Sequence, residues 1–338
     1  MLILAFAFNG NVINNGVLKA IVYKKYGPPQ VAELAEVTKP VPKKNEVLVR
    51  VYASTVNRTD AGYRSAQYFI SRFFTGLLKP KNQILGSEFA GCVEEIGDEV
   101  TLFKKGDRVF GFKDINAGGH AEFLTIAETD AVSLIPNELS YIAAAPIAEG
   151  AHYALGDIRA AGVTEGQLVL VNGATGAIGS AAVQLLKSFG AIVTATCAGK
   201  NKDLVKSLGA DYIIDYDIAD FTKSGLEFDF IFDAVGKSSF KKCKPLLRSR
   251  GIYISTELGK YSANIFLALT TPIFKRKKVL FPLPKMDKEV IQFLGDLVEK
   301  GSFLPVIDSV YRMEQIVEAY TYVDSRQKVG NVVLQIAD

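Results

Sequence analysis

The chain has 338 residues, of which 49% are hydrophobic and 22% charged, and its formal net charge is +3. This length exceeds what a single hydrophobic core usually organises, so we expect two domains, and the small charge gives no support to nucleic-acid binding. With 3 Cys and 2 His, and no two cysteines at metal-ligand spacing, the composition argues against a disulfide framework and a cysteine-rich zinc lobe.

The first residues, MLILAFAFNGNVINNG, form a short apolar stretch. No basic residue precedes it and no small-residue cleavage pattern follows, so we do not interpret it as a signal peptide. No apolar run in the chain reaches the roughly 18 residues of a membrane-spanning helix. Because the folded pattern begins at VLKAIVYKKYG, we interpret residues 1–17 as an N-terminal extension, with Val17 or Leu18 as an alternative start. We expect a cytoplasmic protein.

Short alternating or apolar strands broken by Gly, Pro and Asn run from residue 18 to residue 136, which predicts a twisted β-rich domain. Apolar strands then alternate with helical stretches over 137–300, the pattern of a doubly wound parallel sheet. After this the β-rich pattern returns, so we predict one domain built from 18–136 and 301–338, with 137–300 inserted and the active site in the cleft. The helices predicted in the insertion are 177–189, 200–208, 237–248, about 262–271 and 286–300.

The strand QLVLVN runs into GATGAIG, a G-x-x-G-x-x-G variant of the dinucleotide fingerprint. Glycine permits the tight turn, lets backbone N–H groups approach a pyrophosphate and allows close packing of the next helix, whose N-terminus attracts phosphate. The pattern is weak alone, but its place between a strand and an amphipathic helix makes it specific; the alternative is a nucleotide fold that has lost its ligand. The predicted cofactor-binding residues are Gly173, Ala174, Thr175, Gly176, Ala177, Ile178 and Gly179.

The end of the next strand distinguishes NADH from NADPH. An NAD-selective site places Asp or Glu there to bond the ribose 2′-hydroxyl, but this chain has Cys197, which we interpret as a small neutral filler. A 2′-phosphate would meet Thr196, Lys200 and Lys202 without a carboxylate to repel it. Tyr216, at the end of the third strand, would cover the same phosphate. The sequence therefore favours NADPH; for Lys202, a solvated position on a helix is an equal alternative.

Eight motifs occur in a specific order and spacing: STVNRTD (54–60), LGSEFAGCVEEIG (85–97), FKKGDRVFGF (103–112), GGHAEF (118–123), NGATGAIGSAAVQLLK (172–187), LGADYIIDY (208–216), FDAVG (232–236) and GNVVL (330–334). From Lys19 to Ile336 the chain resembles the medium-chain dehydrogenase/reductase superfamily, in its zinc-independent quinone oxidoreductase (zeta-crystallin-like) type. The resemblance implies a doubly wound Rossmann domain inserted in a GroES-like β-rich domain, and a homodimer.

Zinc-dependent relatives carry a Cys where this chain has Asn57, a His where it has Ser87, and a third ligand near 148–150. A catalytic zinc needs about three N, S or O ligands from the protein, so we predict no metal and reject zinc-dependent alcohol oxidation. The natural reaction is then hydride transfer from NADPH to a small electrophilic acceptor. Quinones and α,β-unsaturated carbonyl compounds fit, because their own conjugation delocalises the arriving charge.

Two alternative functions remain open. An enoyl-thioester or 2-alkenal reductase would differ in acceptor size and in whether a solvent proton enters at carbon. A non-catalytic NADPH-binding redox sensor would bind cofactor tightly without turnover. RNA binding is disfavoured, because the charge is small and no basic stripe is interleaved with aromatics.

The resemblance implies three catalytic residues. Asn57 and Tyr63 lie in the segment that resembles the active-site wall, where both would donate to the acceptor oxygen. Their alternatives are a bond from Asn57 to the backbone and, because Tyr63 is offset by one residue from the usual tyrosine, a core or surface position for that ring. Glu149 would relay a proton or fix a ribose hydroxyl with support from His152; alternatively, Glu149 starts a helix against which His152 packs.

Further positions follow from the resemblance alone. Val235, Gly236, Ser255 and Asn331 are expected near the nicotinamide. His120 is interpreted as a packing residue and Glu88 as a member of a structural ion pair. The segment ANIFLALTTPIFKRKKVLF (263–281) combines apolar and basic residues, which suits either an anionic membrane surface or, as we prefer, a substrate entrance or dimer contact.

Overall fold

The computed structural model describes residues 16–67, 69–114, 116–136, 139–274 and 276–338. Most of the predicted N-terminal extension, residues 1–15, lies outside the described residues. The strands are β1 (Val17–Tyr23), β2 (Ala32–Thr38), β3 (Glu46–Val56), β4 (Glu88–Ile96), β5 (Arg108–Phe112), β6 (Phe123–Ala127), β7 (Val132–Leu134), β8 (Leu168–Asn172), β9 (Ile192–Cys197), β10 (Tyr212–Asp215), β11 (Phe228–Asp233), β12 (Leu247–Ser255), β13 (Lys278–Leu280), β14 (Ile307–Arg312) and β15 (Asn331–Gln335).

The helices lie mainly in the second half of the chain. They are α1 (Arg58–Ser65), α2 (Arg72–Thr75), α3 (Tyr141–Ala144), α4 (Glu149–Ala161), α5 (Ala177–Ser188), α6 (Lys202–Ser207), α7 (Phe240–Cys243), α8 (Ala263–Thr270), α9 (Lys288–Glu299) and α10 (Ile316–Asp324). Among the residues that the structure describes, no helix combines the length and the apolar character that crossing a membrane requires.

The nucleotide domain contains a six-stranded parallel sheet in the order β10-β9-β8-β11-β12-β13. Its central strands are buried on both faces, which explains the continuous apolar runs in the sequence. Counted from β8, this is the Rossmann order 3-2-1-4-5-6, in which the strand order reverses between β8 and β11. Dinucleotides bind at this reversal, beyond the carboxyl ends of the strands.

The second domain is built from both ends of the chain. Its seven strands follow the order β14-β15-β3-β4-β5-β7, with β6 paired to β3, and β1 and β2 form a separate antiparallel pair. Because β14 and β15 return to pair beside β3 after the parallel sheet is complete, the Rossmann unit is inserted in the GroES-like unit, as expected. The boundaries at 136/137 and 300/301 stay predictions.

One predicted helix is wrong. The structure has only the short α7 where 237–248 was expected, followed by a 3-10 turn at Lys244–Leu246 and then by β12. Pro245 explains the difference, since proline has no N–H with which to continue an α-helix. The other predicted helices of the insertion are present within a few residues of the expected bounds.

Candidate active site

A cavity of about 830 Å³ lies between the two domains, with the glycine turn on one side and Asn57, Arg58 and residues of 322–329 on the other. Its charged lining is mostly basic, which favours a ligand that carries several phosphates. The basic lining residues are Arg58, Lys200, Lys237, Arg326 and Lys328, and the acidic ones are Glu149 and Asp220.

The glycine turn connects β8 to α5, and its glycines have different tasks. Gly173 has a φ of +85°, and a Cβ there would stand 2.3 Å from the Val235 side chain. A Cβ on Gly179 would stand 2.1 Å from the carbonyl oxygen of Gly173, so this glycine permits the close approach of helix and turn. Gly176 faces open space inside the cavity. The turn therefore forms a cradle that suits a dinucleotide pyrophosphate.

Five of the seven predicted turn residues line the cavity, and two do not. Ala174 is fully buried, and Gly179 serves packing. The lining members are Gly173, Thr175, Gly176, Ala177 and Ile178.

Thr196 lies beneath the turn rather than in the cavity. Its buried hydroxyl donates to Asn172 Oδ1 at 2.8 Å and accepts from the Gly173 N–H at 3.0 Å. The Asn172 amide in turn donates to Asp233 Oδ1 at 2.9 Å. The predicted contact of Thr196 with a 2′-phosphate does not fit this placement, because both its hydrogen bonds support the glycine turn from below.

Lys200 and Tyr216 line the same end of the cavity, as the sequence suggested. Lys202 is ion-paired with Asp215 at 3.0 Å, and this lysine lowers the pKa of the carboxyl through a hydrogen bond. Asp217 accepts from the Gly199 N–H at 3.2 Å. The sequence reasoning missed both carboxylates, because they come from the neighbouring strand end and not from β9. Lys200 is therefore the lysine of the pair that faces the cavity.

The segment that enters β15 completes the cavity, and the sequence reasoning missed this as well. Arg326 and Lys328 line the wall, and the Gly330 N–H donates to the Thr175 carbonyl at 2.6 Å. Gly176 and Gly330 also form an isolated parallel bridge. The basic residues in SRQKVG, immediately before the final strand, were the available signal.

Asn57 lines the cavity, but hydrogen bonds hold its amide. As the N-cap of α1 it accepts from the Asp60 N–H at 2.8 Å, a favourable role for asparagine. Its Nδ2 donates to Ser87 Oγ at 2.8 Å and to Thr55 Oγ1 at 3.3 Å. The side chain therefore fixes the start of α1 at the cavity wall. This corresponds to the alternative in which Asn57 binds the backbone instead of the acceptor oxygen.

Glu149 and Glu88 form a buried pair of carboxyl groups behind this wall. Glu149 begins α4, lines the cavity and accepts from Thr59 Oγ1 at 2.8 Å. Glu88 accepts from the N–H groups of Ala148 and Glu149 at 3.0 and 2.6 Å. Burial, followed by the Glu149 charge, raises the pKa of Glu88 to about 8, and burial also raises the pKa of Glu149. Together they hold a proton beside the cavity near neutral pH.

The predicted ion pair of Glu88 is wrong for the described residues. Its carboxyl accepts hydrogen bonds from the helix start and from Thr55 Oγ1 at 2.6 Å, and no Lys or Arg there forms a salt bridge with it. A cation is not needed, because three donors satisfy the buried oxygens.

The two histidines are both buried and neutral. His152 Nδ1 donates to the backbone carbonyl of Glu149 at 2.9 Å, so its support is to the helix backbone and not to the Glu149 carboxyl. His120 Nε2 bonds the Thr55 carbonyl at 2.7 Å, consistent with a packing residue. Burial lowers the pKa of each to about 4.

Tyr63 does not line the cofactor cavity. Its hydroxyl donates to Asp114 Oδ1 at 2.9 Å, and Asp114 lines a second cavity. The structure thus separates Tyr63 from Asn57, although both were predicted to donate to one acceptor oxygen.

Of the positions expected near the nicotinamide, Val235 alone lines the cavity. Gly236 has a φ of +63° and lies against Glu257. Ser255 and Asn331 are buried, and Asn331 Nδ2 donates to the Val306 carbonyl at 2.9 Å. These three support the loops around the cavity.

Among the described residues, no group of three or more His, Cys, Asp or Glu side chains is arranged to hold a metal. At the positions where zinc-dependent relatives carry ligands, Asn57 and Ser87 hydrogen-bond each other instead.

Comparisons with known proteins agree with this architecture. One matching family is described as the alcohol dehydrogenase GroES-like domain and covers residues 43–137; the other is described as zinc-binding dehydrogenase and covers residues 208–334. The second match does not include positions 57, 87 or 148–150.

Similar proteins cover nearly the whole chain. The 2-methylene-furan-3-one reductase of Solanum lycopersicum is 30% identical, with 94% of this chain and 79% of that protein aligned. The quinone oxidoreductase of Sus scrofa is 30% identical, with 94% and 98% aligned. The structure of the quinone oxidoreductase from Coxiella burnetii superposes with a TM-score of 0.84 at 25% identity, covering 95% of this chain and 99% of that one. The chain therefore belongs to the medium-chain dehydrogenase/reductase superfamily, in its zeta-crystallin-like quinone oxidoreductase type, and is an oxidoreductase that uses a nicotinamide cofactor.

Proposed function

We propose that this enzyme reduces quinones or α,β-unsaturated carbonyl compounds with NADPH and without a metal. The observation that carries the proposal is the cavity itself, which begins at a glycine cradle, has more basic than acidic residues in its lining and includes the buried carboxyl of Glu149. Relatives named as quinone oxidoreductase and as NADPH-dependent alkenal/one oxidoreductase support the acceptor class.

The preference for NADPH rests on the charge at the end of β9. Lys200 and Tyr216 line the cavity there, and Cys197 stands where an NAD-selective site would have an acid. The nearby Asp215 is neutralised by Lys202. A 2′-phosphate would therefore depend on Lys200, whose charge acts there against those of Asp217 and Asp220.

The metal-free reaction rests on the chemistry of the donor set. An amide and a hydroxyl that already bond each other are poor zinc ligands compared with the thiolate and imidazole of zinc-dependent relatives. An acceptor whose conjugation delocalises charge needs no Lewis acid.

Bound NADPH would supply the hydride. The chain supplies the rest: the glycine turn and the basic residues orient the cofactor, Asn57 fixes the wall, and Glu149 presents a buried carboxyl that would donate the proton that balances the reduction. One acceptor, one hydride and one proton give the reduced product and NADP⁺.

We also propose a homodimer in the cytoplasm. Within the described part of the chain, β13 pairs only with β12 at the edge of the six-stranded sheet, and α8 beside it exposes Phe266 and Leu269. A second copy could extend the sheet and cover these side chains. Light scattering coupled to size exclusion would give the mass of two chains; the mass of one chain would refute the dimer.

The decisive experiment is anaerobic NADPH oxidation by EDTA-treated protein with 1,4-benzoquinone, 9,10-phenanthrenequinone, methyl vinyl ketone and a simple aldehyde, repeated with NADH. We expect turnover of quinones or enones, with NADPH preferred. Tight NADPH binding without turnover would instead support a redox sensor. Activity that appears only after zinc addition would refute the metal-free proposal.

A further inference from the structure

A row of hydrogen-bonding side chains leads away from Glu149. The Thr59 hydroxyl, on α1, donates to Glu149 Oε1 at 2.8 Å and is also hydrogen-bonded to the Tyr153 hydroxyl. Glu149 and Tyr153 are separated by four residues on α4, so one face of this helix presents both to Thr59. The three side chains form a continuous chain of carboxyl, hydroxyl and phenol.

The two ends of this row lie on different cavities. Glu149 lines the cofactor cavity, whereas Tyr153 lines a second cavity of about 680 Å³ that shares no lining residue with the first. Thr59 lines neither of them. The second cavity is polar, with Lys113, Asp114 and His152 in its wall. Tyr153 therefore places the far end of the row at a cavity that is separate from the cofactor cavity.

The chemistry of the three groups suits proton transfer in either direction. A threonine hydroxyl donates one hydrogen bond while it accepts another, so it can pass a proton without becoming charged. Burial raises the pKa of Tyr153 well above its ordinary value, so the phenol stays neutral and hands on its proton only as it receives another. Burial also raises the pKa of Glu149, which favours the protonated form of this carboxyl over its charged form.

We propose that Glu149, Thr59 and Tyr153 form a proton relay that refills Glu149 from the second cavity while the cofactor cavity is occupied. The proposal rests on the proposed reduction. When the Glu149 carboxyl gives its proton to the reduced acceptor, the Thr59 hydroxyl proton moves to Glu149 and the Tyr153 proton moves to Thr59. Water in the second cavity returns one proton to Tyr153. One proton enters, one leaves, and no electron moves along the row.

The first test follows the Glu149 proton without turnover. Protein saturated with NADP⁺ is mixed with D₂O at pH 6, and infrared difference spectra record the exchange of the protonated carboxyl, assigned by its loss in Glu149→Gln. We expect exchange to slow at least about tenfold in Tyr153→Phe and in Thr59→Val, and to keep the wild-type rate in Thr59→Ser, which retains the hydroxyl. An absent protonated Glu149 band, or wild-type exchange rates in Tyr153→Phe and Thr59→Val, would overturn the relay.

Tyr26→Phe is the matched control. The Tyr26 hydroxyl bonds Thr75 Oγ1 at 2.8 Å, so this variant also removes a phenol–threonine hydrogen bond, but neither residue lines either cavity. It should exchange like the wild type. Equal slowing in Tyr26→Phe and Tyr153→Phe would show a general loss of packing and overturn the relay.

The second test separates the relay from the proposed function. With NADPH and methyl vinyl ketone, Tyr153→Phe should lower kcat about tenfold, leave KM for NADPH unchanged and increase the solvent isotope effect on kcat. A wild type that oxidises no NADPH with any quinone or enone would refute the proposed function, and the relay with it. A wild type that turns over, with an unaltered Tyr153→Phe, would refute the relay alone.

Discussion

The glycine turn gives the sharpest prediction, because two of its glycines should fail in different ways. In Gly179→Ala the new Cβ would stand 2.1 Å from the Gly173 carbonyl oxygen and 2.9 Å from its carbon, where ordinary contact begins near 3.4 Å. The backbone must move by about 1 Å, and overpacking of this kind costs about 1–3 kcal/mol. For a domain of this size the apparent Tm should fall by roughly 2–12 °C, and NADPH affinity should fall as the turn shifts.

Gly176→Ala is the matched variant. Its Cβ meets nothing within 4 Å, and its φ of −73° suits alanine, so stability should change little. Since Gly176 lines the cavity, the methyl group would occupy space that a pyrophosphate needs, and NADPH binding should weaken about tenfold or more. Differential scanning fluorimetry and titration calorimetry give the two quantities. Two results would refute this division between a packing role for Gly179 and a binding role for Gly176. One is a wild-type Tm in Gly179→Ala, and the other is a lowered Tm with unchanged NADPH affinity in Gly176→Ala.

Three further predictions concern charge. Lys200→Ala should weaken NADPH binding about five- to tenfold and NADH binding less than twofold, whereas Lys206→Ala, outside the cavity, should change neither in calorimetry. Burial raises the pKa of Asp157 to about 8, so the folded protein retains a proton here that the unfolded chain releases above about pH 4. The free energy of unfolding therefore falls as the pH rises from about 4 to about 8, and Asp157→Asn should raise Tm more at pH 8.5 than at pH 5. Arg64, with a 1% exposed side chain, bonds the 41% exposed Asp324, so Asp324→Asn leaves a buried guanidinium without its counter-charge. Urea unfolding should show a loss of about 3 kcal/mol for Asp324→Asn and a smaller loss for Arg64→Leu, which removes the buried charge itself; equal losses would contradict this.

The parts of the fold that depend on local pattern were predictable. Strand β8, the glycine turn and helix α5 follow one another as apolar run, glycines and amphipathic stretch, and the structure reproduces them within one residue at each end. The nested domains were predictable too, because the β-rich pattern returns after residue 300. The helix predicted over 237–248 is wrong, because Pro245 ends the helix although the apolar spacing continues.

The site was less predictable, because its side chains meet across distant parts of the chain. Thr196 was placed on the phosphate from strand position alone, but in a parallel sheet its side chain reaches Asn172 on the neighbouring strand. Lys202 likewise forms an ion pair with Asp215, which belongs to β10. The sequence order of these residues does not reveal which hydroxyl or lysine already has a partner. Arg326 and Lys328 were missed because their segment approaches the turn only once β15 has paired with β3.

The contact between Gly330 and the Thr175 carbonyl also affects the order in which the enzyme is made. The ribosome releases the whole parallel sheet, with its glycine turn, before it releases the segment that closes the cavity wall. A nascent chain that ends before residue 326 would have a complete nucleotide fold but an open phosphate site, without Arg326, Lys328 or the bridge to Gly176. Cofactor binding that needs this wall therefore has to wait for the last residues of the chain, and a bound nicotinamide cofactor would stabilise the finished chain in preference to its intermediates.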